Sequence, residues 1–179
     1  MKLKKKIVLI GMMGSGKSTI GRIIAKNVKK KFYDLDKIIE NENNMSISEI
    51  FKRKGENFFR NYEEKVTIKT LKSSDSIIAL GGGAFLNSKI REELKIQSIT
   101  IWLKWSPNFL IPRIINSKTR PVVNKLNEED LLKLVDARSK IYSKANFKIN
   151  CDKLNKNNIM KKILEIYKNE KNYSKNQTK

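Results

Sequence analysis

The chain has no histidine. His general bases, His-containing triads and His metal sites are therefore excluded. It has one cysteine, Cys151. An internal disulfide is impossible, and a reducing, cytoplasmic setting is expected. The thiol reads as a small apolar residue at a strand end. No apolar run approaches the roughly twenty residues that a membrane helix needs, and mean hydropathy is −0.52. Met1 to Lys6 carries the charge of a signal n-region, but the apolar segment behind it is short and runs into a glycine-rich loop, so a leader is not expected. Acidic residues are scarce, 18 against 39 Lys and Arg, for a formal net charge of +21. Such a surplus often marks a nucleic-acid binder. Here the lysines are spread over nearly every segment, Lys outnumbers Arg, and Asn and Ile are abundant. That pattern fits AT-rich coding acting on solvent-facing sites. No aromatic-and-basic cluster of the kind that reads bases is present. Neither a specific nucleic-acid partner nor a membrane partner is expected. With 179 residues, 39% of them hydrophobic, the chain can bury the core of one domain.

What is present centres on Lys6 to Ile24. Ile7-Val8-Leu9-Ile10 is long enough for one buried strand. Gly11-Met12-Met13-Gly14-Ser15-Gly16-Lys17-Ser18 follows and fits G-x-x-x-x-G-K-[ST] at every fixed position. Ile20, Ile23, Ile24 and Val28 then recur at helical spacing, completing strand, loop and helix. Gly14, Ser15 and Gly16 let backbone N–H groups turn around phosphate oxygens, where a side chain would block the approach. Lys17 supplies a point charge for the outer phosphates, and the Ser18 hydroxyl is a natural Mg²⁺ ligand. The helix N-terminus adds partial positive charge. Thr19 either touches a phosphate or merely sits in the first helical turn.

Phe32-Tyr33-Asp34-Leu35-Asp36 reads as a short strand with two acids at i and i+2, on one face. If it lies beside the first strand, Asp34 could help hold Mg²⁺ through water and Asp36 could meet a substrate hydroxyl. Alternatively, Asp36 caps a helix beginning near Lys37. Ser46 and Glu49 form a capping box for a short helix that Gly55 ends. Glu56 through Leu71 is a second helix with Phe59, Tyr62, Val66 and Leu71 turned inward. On spacing alone, Arg60 with Glu63 and Glu64 reads as an ordinary surface pairing. Ser76 to Leu80 is a buried strand running into Gly81-Gly82-Gly83, which implies close approach of backbone to a ligand, or a flexible loop. Asn87 caps a helix reaching Leu94. Ser98 to Leu103 is a fourth strand. Ser106-Pro107 starts a helix that Pro112, just before Arg113, should kink or interrupt. Asn116 to Asn127, containing Thr119-Arg120-Pro121, breaks periodicity and reads as a mobile loop. A long helix follows Glu128-Glu129-Asp130 to Lys144 and carries Arg138. Phe147 to Cys151 is a fifth strand, and Ile159 to Tyr167 an amphipathic helix. The polar tail is expected to be disordered. Five strands alternating with helices predict an α/β fold, a five-stranded parallel sheet covered on both faces, with its sites at the strand C-termini.

In combination GMMGSGKST, the acids of FYDLD, FFRNYE, LGGGA, TRP and the late R-x-x-x-Y-x-x-A resemble shikimate kinase, of the nucleoside-monophosphate-kinase branch of P-loop proteins, from about Lys6 to Ile149. The resemblance implies a single P-loop kinase domain over residues 1–170, with a lid at about 116–127 and a disordered basic tail at 171–179. It implies transfer of the ATP γ-phosphoryl to the 3-hydroxyl of shikimate with Mg²⁺. ATP would be bound by Gly14, Ser15, Gly16, Lys17, Ser18, Thr19, Arg113 and Arg120. Shikimate would be bound by Asp36, Arg60, Gly81, Gly82, Gly83 and Arg138. Asp36, Lys17 and Arg120 would be catalytic, and Mg²⁺ would lie by Ser18 and, through water, Asp34. Pro112 departs from the family pattern. A monomer is expected.

Overall fold

Short apolar runs alternate with capped amphipathic segments, and each run becomes a strand. In the computed structural model, residues 6–73, 75–116 and 126–176 are described, with side chains as far as residue 170. The order is β1 (Lys6–Ile10), α1 (Lys17–Asn27), β2 (Lys31–Asp34), α2 (Leu35–Asn43), α3 (Ile47–Leu71), β3 (Ser76–Ala79), a 3₁₀ turn (Ala84–Leu86), α4 (Ser88–Gln97), β4 (Ser98–Lys104), α5 (Pro107–Ile115), α6 (Glu128–Tyr142), β5 (Phe147–Asn150) and α7 (Lys156–Asn176). The strands form one sheet in the order β2-β3-β1-β4-β5, and every pairing is parallel. Among the described residues, no helix is long and apolar enough to cross a membrane.

Both faces of the sheet are buried, as a parallel sheet requires. Along β1, Val8 and Ile10 face a core shared with α2 to α6, through Leu35, Ile39, Phe59, Val66, Leu94, Leu110 and Tyr142. Ile7 and Leu9 face the other core, built with Ile20 and Ile24 of α1 and Ile159 and Ile163 of α7. Local signals place the ends. Ser46 and Glu49 form the expected capping box, and Gly55 breaks α3 with φ 80°. Asn87 Oδ1 caps α4 by accepting from Lys89 N at 2.9 Å.

Several expectations are corrected. Sequence alone leaves two readings: Asp34 and Asp36 on one strand face, beside β1 if those strands pair, or Asp36 as the cap of a helix beginning near Lys37. Instead β3 lies between β2 and β1, and the chain turns into α2 at Leu35. The cap decides this: Asp34 Oδ1 accepts from Lys37 N at 3.4 Å, so Asp34 is the N-cap and Asp36 stands in the first turn. Pro112 neither ends nor splits α5, which runs on to Ile115. Pro112 and Asn108, the residue whose carbonyl it deprives of a helical donor, are both exposed. The closing helix continues past Tyr167 to Asn176, so the tail expected to be disordered is helical to that point. Most of the segment read as a lid, residues 117–125, lies outside the described residues.

Cys151 is fully buried, and its Sγ–H donates to Ile149 O at 3.3 Å. Burial, with the Asp152 carboxylate adding to it, pushes the thiol up from 9.0 to about 12. The unfolded thiol ionises first as pH rises. Its contribution to stability is therefore fully present below about pH 9 and is lost progressively toward about pH 12. A thiol reagent at about pH 8 should leave the folded chain unmodified and label one equivalent in denaturant. Denaturant titrations above about pH 9 should show a steeper loss of stability than in Cys151→Ala.

Candidate active site

The loop after β1 is shaped by glycine. Gly14 and Gly16 sit at φ 75° and 89°, in the left-handed region that L side chains rarely adopt. Gly16 caps α1 with no side-chain hydrogen bond, and the first turn holds no acid. The helix's first N–H groups are thus left to an external acceptor, with the positive end of the dipole uncompensated. Lys17, 8% exposed, lays its ammonium over the loop, donating to Gly11 O and Met12 O at 2.9 Å each. Ser15 Oγ is buried with no hydrogen-bond partner among the described residues. A ring of inward-pointing donors of this kind suits phosphate oxygens.

Beside the loop lies a cavity of about 680 Å³, lined by Ser15, Gly16 and Thr19 on one side and by Trp105, Arg113 and the start of α7 on the other. Trp105 Nε1–H donates to Ser15 O at 3.0 Å. The Arg113 guanidinium lies 3.7 Å from the centre of the Trp105 ring. Asp152 Oδ1 accepts from Ser106 N at 2.8 Å, tying the α5 entry to the turn that leads into α7. This volume suits a nucleoside, and it adjoins the donors that suit its phosphates.

The second half-site forms around Gly81 to Gly83, at the end of β3. A Cβ on Gly81 would fall 2.5 Å from Glu63 Oε1 and 2.9 Å from Asp36 Oδ1, and one on Gly83 would collide with the Arg60 guanidinium. Gly82 O accepts from Tyr142 Oη–H at 2.5 Å. Arg60 Nη1 donates to the buried Glu63 at 2.8 Å, and its Nε and Nη2 donate to exposed Glu56 at 3.2 and 3.1 Å. Burial alone would lower the Arg60 pKa, but Glu63 and Glu56 outweigh it, and the pKa is raised. Arg60 therefore stays charged. Arg138 is 9% exposed; its Nη1 donates to Met12 Sδ at 3.7 Å, and its Nε has no hydrogen-bond partner among the described residues.

The structure thus gathers Gly14 to Thr19 and Arg113 around one cavity, and Asp36, Arg60 and Gly81 to Gly83 around one loop. Arg138 joins the second group through Met12 and Tyr142. Arg120 lies outside the described residues. Sequence reasoning missed Glu63, treating it as a surface ion-pair partner. It is 3% exposed. Its signal was there to use: Glu63 follows Phe59 by four residues and precedes Val66 by three, on the buried stripe of α3. Trp105 and Met12 carried no comparable signal.

The family model for shikimate kinase matches residues 13–168. A shikimate kinase of Bartonella quintana is 39% identical over 167 residues, covering 93% of this chain and 80% of the relative. The chain belongs to the shikimate kinase family. One from a Sulfurihydrogenibium species is 37% identical over 89% of this chain and 96% of its own. The shikimate kinase from Acinetobacter baumannii, solved in complex with shikimate, superposes with a TM-score of 0.85 at 31% identity, covering 90% of this chain and 92% of that one. Shikimate kinases are ATP-dependent enzymes, and the two half-sites fall where a donor nucleotide and a small acceptor would meet, at the C-terminal edge of the sheet.

Phosphoryl transfer from ATP generally employs Mg²⁺ on the phosphates. Among the described residues no group of three or more His, Cys, Asp or Glu could hold a metal. That suits an ion bound largely by nucleotide phosphates and water, with one or two protein oxygens. Ser18 follows Lys17 at the start of α1, and Asp34 is level with Leu9 across β3.

Gly81→Ala should keep the fold, because the residue does not need a left-handed backbone. The new methyl must displace a buried carboxylate locked to Arg60. A melting temperature within a few degrees of the parent, with kcat/KM for the acceptor down about a hundredfold, is expected. Thermal melts and steady-state kinetics on one preparation measure both.

Proposed function

We propose that this chain transfers the γ-phosphoryl of ATP to the 3-hydroxyl of shikimate, as a cytoplasmic monomer built from one kinase domain. The observation that carries the acceptor's identity is Arg138. A buried guanidinium with an open Nε and a neutral sulfur as its partner is costly unless an anion completes it. A small substrate carboxylate would do so through the planar fork. Arg60 is the second carboxylate contact. Its pair with Glu56, whose side chain is 62% exposed, is an interaction of about 0–1 kcal/mol that a substrate can displace. Its pair with buried Glu63 keeps the guanidinium in place.

Phosphoryl transfer needs positioning and charge stabilisation more than covalent help. Lys17 moves from loop carbonyls to the outer phosphates. Backbone N–H groups from Gly14 to Ser18 hold the remaining oxygens, with Thr19 at the lip. Arg113 and Trp105 bound the adenine side. Ser18, and Asp34 through water, would hold Mg²⁺, which would offset charge on the phosphates. Asp36, against the glycine loop, orients the acceptor hydroxyl and takes its proton. Arg120, on the family resemblance, is a further cation for the γ-phosphoryl.

An ADP-release assay with and without shikimate, and with gluconate or a nucleoside monophosphate in its place, tests the reaction. ADP should appear only with shikimate. Asp36→Asn should fold and bind ATP but lose far more than tenfold in turnover, since the amide cannot accept the proton; a loss of less than about tenfold removes the base assignment. Arg138→Lys should weaken shikimate binding by about ten- to a hundredfold while calorimetry shows unchanged ATP affinity, because a point charge cannot replace the fork.

A further inference from the structure

Met12 touches both half-sites, by different parts of one residue. It is 3% exposed. Its carbonyl accepts from Lys17 Nζ at 2.9 Å and from Ser15 N at 3.2 Å, which ties it to the nucleotide loop. Its sulfur accepts from Arg138 Nη1 at 3.7 Å. Tyr142 Oη lies 3.8 Å from the same sulfur, while its proton is engaged by Gly82 O. The thioether is therefore wedged between the arginine and the tyrosine that holds the glycine loop.

The chemistry of the sulfur matters here. A thioether is a weak, neutral acceptor. It can orient a guanidinium without neutralising it. A carboxylate at this place would cancel the charge of Arg138 and compete with a substrate carboxylate. An aliphatic side chain would leave Nη1 without an acceptor in a buried site. We propose that Met12 is a positioning residue: its sulfur sets Arg138 with Nε turned to the acceptor's carboxylate, and its place in the nucleotide loop makes acceptor and nucleotide binding interdependent. This rests on the reading of Arg138 as the carboxylate contact.

The test compares the full chain with Met12→Leu, Met12→Gln, Arg138→Ala and the Met12→Leu/Arg138→Ala pair. Shikimate and a non-hydrolysable ATP analogue are titrated separately and together, alongside kcat/KM and thermal melts. Leucine conserves volume, so the fold should survive. Met12→Leu should raise the shikimate Kd about three- to tenfold, the size of one weak buried hydrogen bond. The analogue's Kd measured alone should stay within about twofold, because the main-chain carbonyl remains. The effect of each ligand on the other's affinity should shrink toward none. Glutamine, which returns an acceptor at similar reach, should restore shikimate affinity to within about twofold of the parent. On the Arg138→Ala background, Met12→Leu should cost nothing further. A parental shikimate Kd in Met12→Leu, a loss that persists without Arg138, or a parallel fall of both affinities with the melting temperature would each overturn the proposal. Parental shikimate affinity in Arg138→Ala would instead overturn the carboxylate reading, and the Met12 proposal with it. If Met12→Leu fails to fold, Met12→Gln carries the same cycle: a loss of shikimate affinity in it that persists on the Arg138→Ala background overturns the proposal, and parental affinity supports it.

Discussion

The acceptor half-site depends on bare backbone at Gly81 to Gly83. Side chains from three separate helices close onto that stretch: Asp36 from α2, Arg60 and Glu63 from α3, and Tyr142 from α6. The approach distances leave no room for a Cβ at Gly81 or Gly83. The sheet supplies the rest of the geometry. Because β3 lies directly beside β1, the glycine stretch and the phosphate loop leave adjacent strands at the same edge. A donor and an acceptor held at that edge are brought together by strand register rather than by flexible loops.

The two arginines of this half-site illustrate different answers to the cost of burying charge. Arg60 is answered within the chain, by buried Glu63 and exposed Glu56. It is preset and always charged. Arg138 has, among the described residues, only a sulfur. A buried guanidinium without an anionic partner costs stability unless an anion reaches it. One arginine is thus paired within the chain, and the other has only a neutral acceptor among the described residues.

The legible parts of the sequence are those set by local chemistry. The phosphate loop needs glycine at Gly14 and Gly16 because the backbone is left-handed there. The Ser46–Glu49 box and the Asn87 cap are decided within three residues. The parts that could not be read depend on distant partners. Nothing near Asp34 reveals that β3 rather than β1 will be its neighbour, and Asp34 and Asp36 are equally good caps by composition. For Glu63 the helical spacing places it on the buried stripe of α3, but the glycine stretch that packs against it comes from a distant strand end. Pro112 looks like a helix breaker because the exposure of this face of α5 is a tertiary property. Trp105 lines the cavity beside the phosphate loop and bonds to Ser15, ninety positions away.

Composition carries one more physical lesson. The chain uses lysine almost wherever it needs a surface cation, and several of its few arginines stand where a plane or a fork is used. Arg113 lies flat over Trp105. Arg60 spans two carboxylates while covering the rings of Phe51 and Phe59 at 5.7 and 5.2 Å. Arg22 lies over Phe32 at 5.9 Å. Arg91 Nη1 donates to the carbonyls of Phe85 and Leu86, fixing the 3₁₀ turn that leaves the glycine stretch. A lysine ammonium can satisfy a charge at these places but cannot stack or bridge in a plane. The +21 charge is mostly a diffuse lysine surface that draws anions toward the molecule without selecting among them. Loss of surface lysines should therefore slow the encounter with anionic ligands, most at low salt.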